Sequence, residues 1–506
     1  MYKLHLILKY LRKRRIAWVS LIAVMLCTMM VLVVISIMGG WVRMFENSFH
    51  GLTGDVVVDG DSLAGFANYD KMIERIERLD CVVAAVPTIK TFGLINIGNR
   101  KTVGVQVIAF PIEKIGKVNL FPQSLYLGYN QYVEKAKDKT NGLSDAERKA
   151  LLARAEDAAR TPSFDKPLAA AEYRERVNWK AGRGKDPATW PGMIAGAGVV
   201  EIRRDAEGNI TGRGDHLYRL PVKLTVMPIS PDFMSVDLKD KVERNYWIVD
   251  DSRTQVWQYD SNCIYVPFEA LQQDLDFGPK TVTERDGGKE VTLPARCTDL
   301  QISVKDAFKD RGGLQEAKRK IQQVVDDVTR ENPDPYELDK PEVKTWRESQ
   351  RLWLDAVEKE KLLTVFLFSI ISVVAIFLIF CIFYMVVAEK TRDIGIIKSV
   401  GASGGGVATI FLGYGLAIGV VGSALGLLMS WLLVHNINEI HTALGKFLGV
   451  QVWNPEVYLF DKIPNTMDAK EVTVIVSIAV VASVLGALLP ALKAGSLNPV
   501  EALRFE

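Results

Sequence analysis

The amino-acid sequence predicts a membrane α-helical protein with four transmembrane helices, plus a large extracytoplasmic α+β domain between helices 1 and 2. Three observations predict it. The apolar residues of this 506-residue chain gather in four uncharged runs. The short segments beside those runs carry Lys and Arg, and the long stretch between the first and second runs alternates strand-like and helix-like patterns.

The uncharged runs are 16–42, 362–388, 399–438 and 472–492. At about 1.5 Å per helical residue each is long enough for a hydrocarbon core of ~30 Å. Lys9, Arg12, Lys13, Arg14 and Arg15 precede the first run, as in a signal peptide. The apolar stretch is too long for one, however, and no convincing A-x-A site follows, so it reads as a retained span. Val24-Met25-Leu26-Cys27 fails as a lipobox because the residue before Cys27 is not small. Positive charge in the N-terminal tail, in the connector with Lys390, Arg392 and Lys398, and in the tail with Lys493 and Arg504 assigns all three to the cytoplasm.

The resulting layout is a cytoplasmic tail and first helix over 1–42, an extracytoplasmic domain over 43–361, a second helix over 362–388 and a cytoplasmic connector over 389–404. A third helix over 405–438, an outer loop over 439–471, a fourth helix over 472–492 and a tail over 493–506 follow. That orientation corresponds to a multi-pass protein of the inner membrane with both termini cytoplasmic. Cys27 and Cys381 fall in spans; Cys81, Cys263 and Cys297 are external and odd in number, which allows at most one disulfide among them. The net charge of +2 points to no nucleic-acid partner.

In the external domain, 55–58, 102–108, 199–202, 222–227, 246–249 and 264–267 read as strands and 71–79 as a helix. Leu314, Ala317, Ile321, Val324, Val325 and Val328 mark one face of another helix. Residues 123–190 shift to Lys, Glu, Ala and Arg, and Ser144 with Glu147 has capping-box spacing, so this segment reads as a helical insertion. A solvated decoration and a partner-binding arm both fit it. Residues 343–361, with Trp346 and Trp353, read as a helical stalk running into the second span, its tryptophans packing or anchoring at the interface.

The connector Glu389-Lys390-Thr391-Arg392-Asp393-Ile394-Gly395-Ile396-Ile397-Lys398, with Gly401-Ala402-Ser403 after it, is richer than an anchor requires. Glu389 and Asp393 share one helix face and Lys390 and Ile394 another, while Ile396 and Ile397 add exposed apolar surface suited to docking. The segment resembles the one between the second and third helices of ABC permeases of the LolC/LolE and MacB type. The closing Pro490-Ala491-Leu492-Lys493-Ala494 and Asn498-Pro499-Val500-Glu501-Ala502-Leu503 are similar to that superfamily's last motif. Weaker matches are Trp190-Pro191-Gly192-Met193-Ile194-Ala195-Gly196, and Tyr259-Asp260-Ser261-Asn262 followed by Tyr265-Val266-Pro267, which looks like a strand of the lipoprotein-releasing branch.

The resemblance implies an ATPase-coupling helix carried by Glu389, Lys390, Thr391, Arg392, Asp393, Ile394, Gly395, Lys398 and Gly401. It also implies an ABC ATPase partner, and a second permease copy or a paralogue. No G-x-x-x-x-G-K-[ST] occurs in the chain, so ATP and magnesium are expected on the separate ATPase and no cofactor or catalytic residue on this chain. Gly415, Gly419, Gly422 and Gly426 repeat small-xxx-small spacing, for close helix packing or for flexibility. The five histidines share no ligand spacing, so no metal is expected. Between 227 and 242, Phe233, Met234 and Ser235 lie where LolC-like members present a loop to a soluble carrier; covering the core is the other role open to these side chains.

The leading expectation is a permease subunit for lipoprotein release, handling lipid-anchored cargo at the membrane. A MacB-like exporter with a periplasmic adaptor, and FtsX-like signalling to a cell-wall hydrolase, are the alternatives.

Overall fold

The structure, a computed structural model, describes residues 15–504 apart from 98–100, 139–141, 165–188, 201–202, 205–209, 212–220, 229–240, 255, 284–289, 335–339, 449–462 and 464. Its described residues form two compact units, one drawn from those before Phe45 and after Arg351, the other from Phe45–Arg351.

In chain order the first element is α1 (Arg15–Leu52), which runs from the first unit into the second at Phe45. The α+β unit then contributes β1 (Val56–Asp59), α2 (Tyr69–Ile76), β2 (Val82–Ile97), β3 (Lys101–Phe110), α3 (Gln131–Lys137) and α4 (Asp145–Arg160). It continues with β4 (Gly192–Gly196), β5 (Pro221–Val226), β6 (Val242–Ser252), α5 (Trp257–Asn262), β7 (Cys263–Pro267) and α6 (Phe268–Asp274). Then come β8 (Asp299–Val304), α7 (Arg311–Glu331) and β9 (Glu342–Thr345). The helical unit resumes with α8 (Arg351–Glu389), α9 (Thr391–Ser399), α10 (Gly404–His435), α11 (Ile437–Leu448), α12 (Ala469–Ser496) and α13 (Pro499–Arg504). Among the described residues, four of these helices, α1, α8, α10 and α12, are long and apolar enough to cross a membrane.

These nine strands form one mixed sheet in the order β9-β1-β8-β2-β3-β7-β4-β6-β5, and β5 pairs with β2 as well, so that the six strands from β2 round to β5 close on themselves. The sixteen-residue β2 makes this possible: Ala84 to Thr88 pair with β8, Ile89 to Ile97 with β3, and Gly93 to Ile97 also with β5. Pro87 and Gly93 interrupt its sequence pattern and hide it from a reading of propensity. Phe110, Phe121 and Tyr265 fill one side of the sheet, with ring centroids 4.4 to 5.9 Å apart. On α7 the buried stripe is Leu314, Ala317, Ile321, Val325 and Val328; Val324 is only half-buried.

Three expectations need correction. Of the strand expected at 199–202, Val199 and Val200 are instead buried in a turn after β4, and 201–202 lie outside the described residues. The glycines of β4 allow this placement, since a Cβ on Gly196 would stand 2.3 Å from the Asp260 carbonyl oxygen. Tyr259 to Asn262 are helical, in α5, and only the following residues form a strand.

The stalk expected over 343–361 begins instead as an edge strand. Val56 pairs with Thr345 and Val58 with Val343, because Val343 and Thr345 alternate inward while Glu342 points out. Thr345 and Glu348 then form a capping box for a one-turn helix whose Trp346 is buried and stacks on His50 at 4.7 Å, and the long helix starts only at Arg351. All five cysteines are free thiols, which stays within the limit of at most one disulfide among Cys81, Cys263 and Cys297. In the insertion, the Ser144 hydroxyl accepts from Glu147 N and the Glu147 carboxylate accepts from Ser144 N at 2.8 Å, completing the expected capping box.

Candidate functional site: the connector helix and its seat

The connector folds into α9 because its ends are specified locally. At its start, the Thr391 hydroxyl donates to the Ala388 carbonyl at 2.9 Å, satisfying the end of α8, and Lys390 pairs with Asp393. At its end, Ala402 N donates to Ile397 O and Gly401 N to Lys398 O, a Schellman pattern whose left-handed position is Gly401 at φ 102°. A side chain there would be strained. Ser403 then caps α10, its hydroxyl accepting from Gly406 N at 3.1 Å.

The helix is two-sided. Ile394, 2% exposed, and Gly395 face inward, where Ile394 packs with Val387 of α8, Val407 of α10 and Ala494 of α12. Ile397 and Ala402 pack against the same cluster, so Ile397 is not the exposed apolar surface expected. Glu389, Arg392, Ile396 and Ser399 are exposed, and Val400 beside them is 84% exposed. Lys398 turns back into the protein, donating from Nζ to Gly495 O at 2.8 Å and to Leu497 O at 2.6 Å. Sequence reasoning placed Lys398 with the surface charges. Only the fold brings the end of α12 beneath it.

The glycines of α10 serve two neighbours. A Cβ on Gly415 would stand 2.6 Å from Ala487 Cβ, and one on Gly419 3.0 Å from Ser483 Cβ, both on α12. On Gly422 it would meet Val24 Cβ at 2.9 Å, and on Gly426 Met25 O at 2.8 Å, both on α1. Ser483 Oγ also donates to Gly415 O at 2.9 Å. These are close backbone approaches of the small-residue kind, made to two different helices. Val24, Ile379, Phe383, Tyr414, Ile418 and Ala487, from all four long helices, form the buried centre they surround.

Beside that centre an apolar cavity of about 320 Å³ opens between α1, α8 and α12, lined in part by Val24, Cys27, Val31, Phe368, Ile376 and Ile478. The sequence reading did not find it. Ala479 and Ala482, small residues on α12 that also line it, are the signal that could have shown where side chains leave room.

In the α+β unit, residues 227–241 join the antiparallel strands β5 and β6, which pair from Pro221 with Trp247 to Val226 with Val242. Phe233, Met234 and Ser235 lie outside the described residues. Where β1 begins, the buried Asp55 carboxylate lies 2.7 Å from His50 Nε2 and accepts from Val304 N at 2.8 Å. Burial by itself raises its pKa, but these bonds outweigh burial and hold it below the ordinary carboxylate value. Among the described residues no group of His, Cys, Asp and Glu is placed to hold a metal ion.

Residues 365–499, which include α9, α10 and α12 and most of α8 but not α1, match the family described as the FtsX-like permease C-terminal domain. The lipoprotein-releasing system transmembrane protein LolC of Neisseria meningitidis serogroup B is 34% identical over 164 residues, 32% of this chain and 40% of that one. LolC of Xylella fastidiosa strain 9a5c is 30% identical over 165 residues, again 32% and 40%. LolE of Haemophilus influenzae is 28% identical over 130 residues, 26% and 31%. The similarity thus spans about two fifths of the LolC relatives' length. Among solved structures, the periplasmic region of MacB from Actinobacillus actinomycetemcomitans covers 61% of this chain and 97% of its own at 7% identity, with a TM-score of 0.28, too low to carry an argument.

Proposed function

We propose that the chain, whose residues 365–499 match the FtsX-like permease C-terminal domain, is the permease subunit of an ABC transporter of the inner membrane. In this reading a separate ATPase binds ATP and magnesium, and its closure moves α9. Two copies of the chain, or the chain and a paralogue, form the membrane channel or lever.

The observation that carries the reading is the two-sidedness of α9. Its outer face presents Arg392 and Ile396 to the surrounding space, with the exposed Glu389 and Val400 flanking its ends, while Ile394 is sealed among the ends of three membrane helices. A surface anchor needs only the charges. A rigid helix, apolar and charged outside and packed into several span ends inside, suits a load applied from outside. In this orientation Phe45–Arg351 lies on the extracytoplasmic side.

Lipidated protein is the proposed cargo. LolC by its name belongs to a lipoprotein-releasing system, and the cavity between α1, α8 and α12 is apolar and of a size for acyl-chain methylenes. Phe233, Met234 and Ser235, between β5 and β6, are proposed to meet the soluble carrier that receives the cargo. The deciding experiment is purification of the chain with its ATPase, followed by mass spectrometry of the species that accompany it. Lipid-linked polypeptide is expected, and a crosslinker at Ser235 should capture a soluble carrier during turnover. Recovery of a membrane-fusion adaptor or a cell-wall hydrolase without lipidated cargo would overturn lipoprotein release.

A further inference from the structure

We infer that Lys398 is a positioning residue that ties the connector helix to the last membrane helix, so that a push on α9 is delivered to α12 directly. The inference rests on the reading of α9 as the helix on which an ATPase acts.

Short connections join α9 to α8 and α10, and both must follow when it moves. No such connection joins it to α12. The last carbonyls of a helix have no partner within it and lie at the negative end of its dipole. On α12, the Lys493 carbonyl accepts from Ser496 Oγ at 2.9 Å, and those of Gly495 and of the adjoining Leu497 accept from Lys398 Nζ at 2.8 and 2.6 Å. Bonds from an ammonium are stronger than neutral ones, and here both originate on one side chain.

The surrounding contacts fit a seat built for transmission. A Cβ on Gly404 would stand 2.5 Å from the Gly495 carbonyl oxygen, and one on Gly495 2.6 Å from that of Gly404, so the start of α10 and the end of α12 touch through backbone. Ala494, fully buried, packs with Ile394 in the same cluster. The apolar contacts resist compression but hold poorly against separation. Lys398 supplies the tether for the return stroke.

The test uses the full chain in lipid nanodiscs with its five cysteines replaced by serine. Nitroxides are placed at Val400 and Val500, which are 84% and 67% exposed. Electron–electron distance measurement should give a single narrow distribution, broadened in Lys398→Met and narrow again in Lys398→Arg, which keeps the donors. A Lys398→Met distribution as narrow as that of the parent overturns the tie, with or without any ATPase.

In the complex with its ATPase, magnesium ATP should change the mobility of a nitroxide at Lys470, near the start of α12, and of one at Leu363 on α8. Lys398→Met should lose the change at Lys470 and keep that at Leu363, with Lys398→Arg restoring both. A general loss of stability would remove both together, and an undiminished change at Lys470 in Lys398→Met overturns the inference. Failure of the docking reading looks different: neither position responds to ATP in the parent protein, while the Val400–Val500 distances still report the tie.

Discussion

Gly415 and Ala487 hold α10 and α12 so close that a Cβ on the glycine would stand 2.6 Å from the alanine's own Cβ. The neighbouring Ser483 Oγ reaches Gly415 O at 2.9 Å across the same seam. A larger residue at Gly415 therefore forces the helices apart and breaks that bond. Gly415→Leu should destabilise the helical unit by about 1–3 kcal/mol, the usual cost of overpacking. The check is the melting temperature of the detergent-solubilised chain, against Gly405→Leu, where the added side chain starts into open space.

Arg392 and Ile394 separate the outer and inner faces of α9. Arg392→Glu should abolish stimulation of the partner ATPase with the melting temperature unchanged, because the side chain is exposed. Ile394→Pro removes the bond from Ile394 N to Lys390 O, 2.9 Å, at a cost of ~3 kcal/mol or more in a helix interior, and should uncouple hydrolysis from transport while insertion persists. Wild-type coupling in Ile394→Pro would show that α9 is not the lever.

Asp55 sets an acid limit for the α+β unit. Its folded pKa is depressed, so its contribution to stability is present above the unfolded value and is lost as pH falls through the folded one, that is, below about 4. Asp55→Asn should lower the denaturation midpoint at pH 7 and make the midpoint less dependent on pH below about 4. Urea titrations of the full chain at pH 7 and at acid pH measure both. An unchanged acid slope would assign the effect to other carboxylates.

The free thiols give a chemical check on the fold. Cys81, Cys263 and Cys297 are buried, and burial pushes Cys263 up to about 12 and Cys297 well above the ordinary thiol value. Both features suppress the reactive thiolate. Maleimide should leave these three unmodified in the folded protein and label them after denaturation, and dithiothreitol should leave the melting temperature unchanged.

The sequence by itself determined the elements whose cause is local. Four uncharged runs are long enough to span a bilayer whatever surrounds them. The Ser144 and Glu147 capping box and the Gly401 terminus of α9 arise from neighbours a few residues away, and the small-residue spacing of α10 is fixed by helical periodicity. Only the tertiary structure decided which helix each glycine meets, since spacing marks a face but not the partner covering it. The same holds for β2, read through Pro87 and Gly93, and for Val343 to Thr345, which became an edge strand because β1 offered it a ladder. Lys398 is the clearest case. Its charge near a membrane helix predicts a cytoplasmic anchor, and its role as a tether depends on two carbonyls that the chain brings beneath it only once α12 has packed against α10. Hydrogen-bond partners distant in sequence are set by packing, and packing is settled by all the surfaces at once.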